Sequence, residues 1–327
     1  MQVKSKRRSQ DLVHTDTGPK KHYKRPKVCV VGSANMDLLS RIPRLPRMGE
    51  TLIGHSFHMG CGGKGSNQAA MAAKLGAEVT MVTKLGHDPL GDMTFKNYQD
   101  LGINTRHVHR DLHNFSGVAP IFVDDEGNNS IVILPGANMA LTSAEVDEAT
   151  ESIKSADVVI CQFETPIECT NEAFRIAKNA GVLTILNPAP AMPIPNELFH
   201  LCNIIVLNEI EAETITAMPV EDLEDAKAAA AALRIRGPRA AIVTLGQRGA
   251  LLVDEEGPYH VQARRVQVVD TTGAGDAFVG SLACFLAEGQ PLRSAVENAN
   301  LVASITVTRV GTQTSFPTRK EVQHLLS

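Results

Sequence analysis

The sequence predicts an α/β protein: a doubly wound, mostly parallel sheet flanked by helices, with a small β-sheet lid. Three observations carry this. Short apolar runs such as KVCVVGS (27–33), EVTMVTKLG (78–86), DVVICQF (157–163) and NIIVLN (203–208) alternate with segments of helical period. Repeated βα units of this kind build parallel sheets. Two stretches break the rhythm, RIPRLPRMGETLIGHSFHMG (41–60) and SGVAPIFVDDEGNNSIVILPGAN (116–138). Finally, 327 residues suffice for one large core with a small accessory element.

Taken in order, the first strand ends in a turn that delivers Asn35 and Asp37 at its C-terminal edge, where open α/β sheets bind ligands. Prolines and alternating apolar residues in 41–60 suggest short strands rather than helix. In 116–138 two β-rich runs flank DEGNN, a hairpin signal. These regions, from about 38–60 and 116–136, are expected to pair into a lid of discontinuous sequence. Helix 66–75 precedes strand 78–86, and helix 88–101 precedes an irregular connection at 102–115. Helices at 143–155 and 167–180 and strands at 157–163 and 182–190 continue the alternation. Strand 203–208, helices 209–217 and 221–236, and strands 240–246 and 250–257 follow. A helix at 274–288 and a last core helix at 291–309 close the domain, expected to span 27–327.

Composition is ordinary for a globular protein, 43% apolar and 21% charged. The net charge of −4 gives no electrostatic case for nucleic acid. The charge is uneven, because residues 1–27 hold nine Lys/Arg against two acids. The head, residues 1–26, lacks apolar periodicity and reads as a disordered basic tail; a nuclear or polyanion-binding signal is the second reading. It has no apolar core of a secretory signal, and no segment reaches the ~18 apolar residues of a membrane span. Six scattered cysteines without metal spacing fit a reducing, cytoplasmic compartment.

The chemistry centres on Asp270-Thr-Thr-Gly-Ala-Gly-Asp276, which the mainly apolar run ARRVQVVD feeds and a long apolar helical pattern follows. Gly273 and Gly275 let backbone N–H groups approach a bound group closely. A helix opening at about Ala274 adds a positive dipole end and open donors, which make an anion site. Asp276 in its first turn can take the proton of a hydroxyl that attacks phosphorus.

The second glycine cluster is GCGGKGSNQAA (60–70). It formally matches a dinucleotide fingerprint, but it follows a lid strand, and no acid stands about 20 residues on. The phosphate-loop pattern fails too, because Gly65 follows Lys64 where Ser or Thr is required. Backbone and side chains of Gly63, Lys64 and Asn67 read better as partners for hydroxyls of a small polar ligand.

The DTTGAGD heptapeptide and the GGKGSNQA segment, in this order and spacing, resemble the two signatures of the ribokinase-like (PfkB) carbohydrate kinases. The resemblance runs from about residue 27 to the C-terminus. It implies transfer of the γ-phosphoryl of ATP to a sugar hydroxyl, with D-ribose and its O5 as acceptor and Asp276 as base. It places Asn35, Asp37, Gly63, Lys64, Gly65, Ser66, Asn67 and Glu164 at the sugar. Asn208 and Glu211 would organise Mg²⁺ and phosphates, largely through water. Thr244, Leu245, Gly246, Gln247, Arg248 and Gly249 would lie along the nucleotide, with Asn300 near the adenine, where the family often has His. Gly273, Ala274 and Gly275 would form the anion hole. A K⁺ site is implied at Asp270, Thr272, Thr306, Arg309, Gly311 and Ser315, and a homodimer through the lid. The competing readings are a deoxyribokinase or another sugar or nucleoside kinase of the family, and a non-catalytic sugar-binding protein on the same scaffold.

Overall fold

The computed structural model describes residues 25–326, so most of the basic head lies outside the described residues. The chain enters through β1 (Lys27–Val31) and passes into β2 (Asn35–Arg41) and β3 (Ser56–Gly62). It continues through α1 (Lys64–Lys74), β4 (Glu78–Gly86), α2 (Pro89–Asp100), β5 (Asn104–Asp111) and the hairpin β6 (Gly117–Val123) and β7 (Asn129–Ile131). Next come α3 (Ser143–Asp147), α4 (Thr150–Lys154), β8 (Val158–Gln162), α5 (Ile167–Asn179), β9 (Leu183–Asn187) and α6 (Asn196–Leu201). The last part runs through β10 (Ile204–Asn208), α7 (Glu209–Thr216), α8 (Leu223–Ile235), β11 (Ala240–Thr244), β12 (Ala250–Asp254) and β13 (Gly257–Val261). It ends with α9 (Ala274–Ala287), α10 (Leu292–Thr306) and α11 (Arg319–Val322).

The main sheet has nine strands in the order β13-β12-β11-β10-β9-β8-β1-β4-β5. All pairs from β5 to β11 are parallel, and β12 and β13 are added antiparallel. From β1 the chain works outward to β4 and β5, then returns to β8 on the other side of β1. The strand order therefore reverses between β1 and β8, and the carboxyl ends there are where a doubly wound sheet forms its crevice.

Alternating residues of each strand feed two cores, one on each face. Val28, Val30, Met81 and Ile160 pack with Ala69 of α1 and Leu75 just past its end, Tyr98 of α2, Phe278 and Leu282 of α9 and Ala299 of α10. Cys29, Val31, Val82 and Cys161 pack with Val146, Ile153, Phe174, Leu198, Ala212 and Leu233 from α3 to α8. Helix α1 is nearly covered because α9 lies across it: a Cβ on Gly280 would stand 2.5 Å from the Gln68 carbonyl oxygen. At the other side of α1, a Cβ on Gly65 would stand 2.6 Å from the Ser33 nitrogen. These two glycines let α1 sit flush against the end of β1 and against α9, which brings Asn67 and Gln68 up to the start of α9.

The separate lid is a four-stranded sheet, β3-β2-β6-β7, in which β2 and β6 pair in parallel and the outer pairs are antiparallel. Its first strand begins at Asn35, not 38. Asn35 and Asp37 therefore lie on the lid strand itself, which starts after a three-residue turn (32–34) from the end of β1. The segment 42–55 carries the prolines and remains outside any strand.

Several elements differ from expectation. The connection at 102–115 holds an edge strand, β5, whose NTRHVHRD hides its strand character behind charges that protect an exposed edge. Helix 143–155 is two short helices, the first stopped after Asp147 and the second entered from Ala149. The mainly apolar run ARRVQVVD forms an exposed strap, with Val268 and Val269 open to solvent. The short β13, α6 and α11 have no counterpart in the periodicity.

Candidate active site

The turn after β1, the start of β2, the N-termini of α1 and α9, and the carboxyl ends of β8, β9, β10 and β11 converge on one side of the sheet. Between them is a cleft of about 190 Å³, lined by Lys64, Asn187, Asn208, Glu211, Thr244, Thr271, Asp276 and the three residues 273–275. A larger cavity of about 330 Å³ lies at the amino ends of β1, β4 and β5. That end of a parallel sheet is not where ligands bind, so the smaller cleft is the candidate site.

Asp276 is buried in the first turn of α9, with both carboxylate oxygens held. Asn67 Nδ2 donates to Oδ2 at 2.9 Å, and Gln68 Nε2 donates to Oδ1 at 2.9 Å. Gly273 has φ 77°, the left-handed region that glycine adopts without a Cβ penalty, and it turns the chain into the helix. Ala277 N–H makes the first intrahelical bond, to the Gly273 carbonyl at 2.8 Å, so the N–H groups of Gly275 and Asp276 precede it and are open to a ligand. The Ala274 N–H is turned to the Thr271 carbonyl at 3.2 Å.

Lys64 opens α1 in the middle of three acids. Burial works against its charge, but Asp276, Glu164 and Glu211 around it hold its pKa above the usual lysine value. Burial raises the Glu211 carboxyl, and the Asn208 N–H and Lys64 oppose that rise. Glu211 and Asn208 form a capping box at the start of α7, each side chain bonded to the other's backbone N–H at 2.8 and 2.9 Å. Glu164, just beyond β8, accepts on one oxygen from Ser33 Oγ and from the Lys64 N–H at 3.0 Å. It thereby ties the turn after β1 to the start of α1.

On the lid strand, Asn35 Oδ1 accepts from Asn138 Nδ2 at 2.8 Å, which leaves the Asn35 amide donor for a ligand. Asp37 needs Gly62 on the neighbouring strand β3, because a Cβ there would lie 2.2 Å from its carboxylate. Desolvation, with Asp276 and Glu164 nearby, raises Asp37 from 3.8 to about 6 against the stabilising Thr312 hydroxyl, which donates to it at 3.2 Å. The folded protein thus binds this proton more tightly than the unfolded chain, and stability is lost as pH rises from about 4 to about 6. The loss amounts to up to about 3 kcal/mol. Asp37→Asn is expected to raise the thermal midpoint at pH 7.5 by several degrees while weakening acceptor binding. An unchanged or lowered midpoint in calorimetry would refute the strain.

Other predicted residues sit close by in less direct roles. Thr244 Oγ1 donates to the Leu207 carbonyl at 3.2 Å and faces the cleft. Leu245 is a core side chain, so only its backbone can meet a ligand. A short 3-10 turn, Gly246–Arg248, follows. Arg248 pairs with Glu209 and donates to the Glu221 carbonyl, which turns its guanidinium toward α7 and α8. Asn300 on α10 donates to the Gln262 carbonyl at 3.0 Å and so anchors the base of the exposed strap.

The proposed cation segments are adjacent. Val269 and Asp270 N–H groups both donate to the Val307 carbonyl. Asp270 accepts from Thr272 N–H and hydroxyl on one oxygen and from Gly311 N–H on the other. Burial works to raise its pKa, but these bonds hold it below the usual carboxylate range. An ionised carboxylate among carbonyls and hydroxyls is an all-oxygen set that suits a hard cation. Arg309 pairs with Glu321, leaving its carbonyl as the donor, and the Ser315 hydroxyl donates to the Thr312 carbonyl.

A family model for the pfkB family carbohydrate kinases matches residues 25–319. The chain belongs to that family. A pfkB kinase from Mus musculus, a ribokinase, is 40% identical over 300 residues, covering 90% of this chain and 93% of that protein. A deoxyribokinase of Salmonella typhi is equally similar, 40% over 301 residues, covering 92% and 98%. The solved structure of Arabidopsis thaliana ribokinase complexed with ribose and ATP superposes with a TM-score of 0.88 at 35% identity, covering 93% and 99%. The nine-stranded sheet with its detached lid is thus a pfkB kinase fold.

Reading the sequence did not single out Gln68, Asn138, Thr312 or Gln313, which bond to predicted site residues, or Asn187, which bonds to Gln68. Gln68 carried the nearest signal, as the direct neighbour of Asn67. Thr312 and Gln313 stand within the predicted cation loop, yet their partners are hundreds of positions away.

Proposed function

We propose that the chain is an ATP-dependent ribokinase that phosphorylates D-ribose at O5. The observation that carries this reading is the Asp276 carboxylate, held on both oxygens at the N-terminus of α9 and beside the lid strand that bears Asn35 and Asp37. Asp276 takes the O5 proton, O5 forms its bond to the γ-phosphorus, and the bond from that phosphorus to the bridging oxygen of ADP breaks. The open N–H groups of Gly275 and Asp276, with the close backbone approach allowed at Gly273, receive the charge that develops on the transferring group. Lys64 balances the acids around it. Asn35 donates and Asp37 accepts, a pairing that suits neighbouring hydroxyls. Asn208 and Glu211 would hold Mg²⁺, mainly through water, and it would supply charge neutralisation on the phosphates. K⁺ at Asp270 and the 306–315 loop would hold the strap end next to the anion hole.

The relatives named ribokinase and the ribose-and-ATP complex at 35% identity support ribose as acceptor. A deoxyribokinase at the same 40% identity supports the second reading, 2-deoxyribose. ADP release with ATP, Mg²⁺ and K⁺ should show a kcat/KM for ribose at least ~100-fold above 2-deoxyribose, since a missing hydroxyl leaves buried partners unpaired. Equal values would move the assignment to the deoxy sugar, and no turnover with either would favour a sugar-binding protein. Replacing K⁺ by Na⁺ tests the cation loop in the same assay.

The lid also supports a homodimer. Its edge strands β3 and β7 expose Phe57, Met59, Ile131 and, just beyond, Ile133. Apolar side chains on unpaired edges suit a second copy of the same sheet. Sedimentation velocity should give a dimer that Met59→Glu with Ile131→Lys converts to monomer; a monomeric parent would refute it. No described helix is long and apolar enough to cross a membrane, and the six free cysteines suit cytoplasmic residence.

A further inference from the structure

We infer that Gln68 and Gln313 are positioning residues for the phosphoryl transfer, members of two buried amide relays that each deliver an N–H donor, from Gln68 itself or through Asn67, to one oxygen of Asp276. The inference rests on the reading of Asp276 as the base.

The first relay starts at a group whose polarity is unambiguous. The Val206 carbonyl can only accept, and it accepts from Asn187 Nδ2 at 3.0 Å. Asn187 must therefore turn its oxygen toward Gln68, which donates to it from Nε2 at 3.0 Å. The second hydrogen of that same Nε2 points at Asp276 Oδ1. Gln68 Oε1 in turn accepts from Gln162 Nε2 at 2.7 Å. Gln68 and Gln162 are completely buried. Gly32 makes the room, because a Cβ there would lie 2.0 Å from Gln162 Oε1. That oxygen has no hydrogen-bond partner among the described residues.

The second relay comes from the opposite side, out of the C-terminal loop. Asn97 Nδ2 donates to Gln313 Oε1 at 2.9 Å. Gln313 Nε2 then donates to Ser66 Oγ at 3.0 Å and to Asn67 Oδ1 at 3.1 Å. With its oxygen so engaged, Asn67 presents Nδ2 to Asp276 Oδ2. Lys74 pins this loop from below, donating to the carbonyls of Gln313 and Phe316.

Buried amides are costly to desolvate, and apolar side chains of similar size would serve packing alone more cheaply. Both relays are polarised the same way and end on one carboxylate. Each oxygen is left with one free lone pair, and the direction of that pair is set by the relays. An amide flip in either chain would face oxygen against oxygen. The second relay also joins the base to the loop whose Thr312 holds Asp37, so the acceptor residue on the lid and the base share one support.

The test turns on polarity. Gln313→Met removes the donor; Gln313→Glu is nearly the same shape but offers only acceptors. Glutamate at 313 would draw Asn67 Nδ2 toward itself and turn Asn67 Oδ1 onto Asp276. kcat with ATP, Mg²⁺ and D-ribose should therefore fall about 10-fold or more further in Gln313→Glu than in Gln313→Met. A packing role predicts the reverse order. In Gln68→Met, the loss of a donor to the ionised form should move the acid limb of kcat up by about one pH unit. The charged groups facing Asp276, namely Lys64 on α1, Glu211 on α7 and Asp37 on β2, are unchanged in these variants. Should Gln68→Met fail to fold, the Gln313 pair decides alone. If Asp276→Asn abolishes turnover while Gln313→Glu matches Gln313→Met and the limb stays in place, the relay is overturned and the base stands. If Asp276→Asn turns over normally, the base reading falls and the relay with it.

Discussion

Asp276→Asn should lower kcat by about 10²–10⁴-fold while the protein remains folded and still binds both substrates. The carboxylate is buried, holds one free lone pair on each oxygen, and accepts from Asn67 and Gln68. Asparagine keeps the shape and one acceptor, but it cannot take the proton of the attacking hydroxyl. Its amide nitrogen would also face the Asn67 or Gln68 donor, so one of those side chains must turn. The effect should therefore fall on kcat with little change in KM for the nucleotide, the pattern of an interaction made in the transition state. Steady-state kinetics beside a thermal melt check this. A variant with parental kcat would remove the base from Asp276.

Lys64→Met should reduce kcat/KM by about 10²–10³-fold, the range for removing one group that stabilises transition-state charge. Lys64 is the cation that Asp276, Glu164 and Glu211 share. Without it, these acids repel one another and the incoming phosphates, and the half-buried Glu211 carboxyl should rise further toward neutrality. The melting temperature should fall as well, because removing one partner of a buried charge cluster leaves the others uncompensated. Lys64→Arg should recover stability better than activity, since a planar fork does not reproduce the place of a compact ammonium among Asp276, Glu164 and Glu211. If Lys64→Met retained kcat/KM, its place would be structural.

Local chemistry made much of the site legible in the sequence. A turn with Gly273 and Gly275 before an apolar helix announces an anion site whatever the fold. Asp276 in the first helical turn is informative because its role depends on neighbours one residue away. The inner parallel strands were equally plain, since their continuous apolar runs face helices on both sides. Lid strand β2 and edge strand β5 were harder. NMDLLSR alternates weakly and NTRHVHRD carries the charges of an exposed edge, so neither shows the apolar signature that burial on both faces writes into a strand.

The fold class, the two glycine-rich turns and the place of the proposed base Asp276 were legible along the chain, because they depend on backbone conformation and near neighbours. How Asp276 is oriented follows instead from contacts between distant segments. Gln68 and Asp276 are 208 residues apart, Gln313 and Asn67 are 246 apart, and Thr312 and Asp37 are 275 apart. Amide polarity, like the proximity of Lys64 to three acids, arises from where β1, α1, α9 and the last loop meet. No periodicity along the chain encodes a hydrogen bond between segments that the sheet and its glycines bring together.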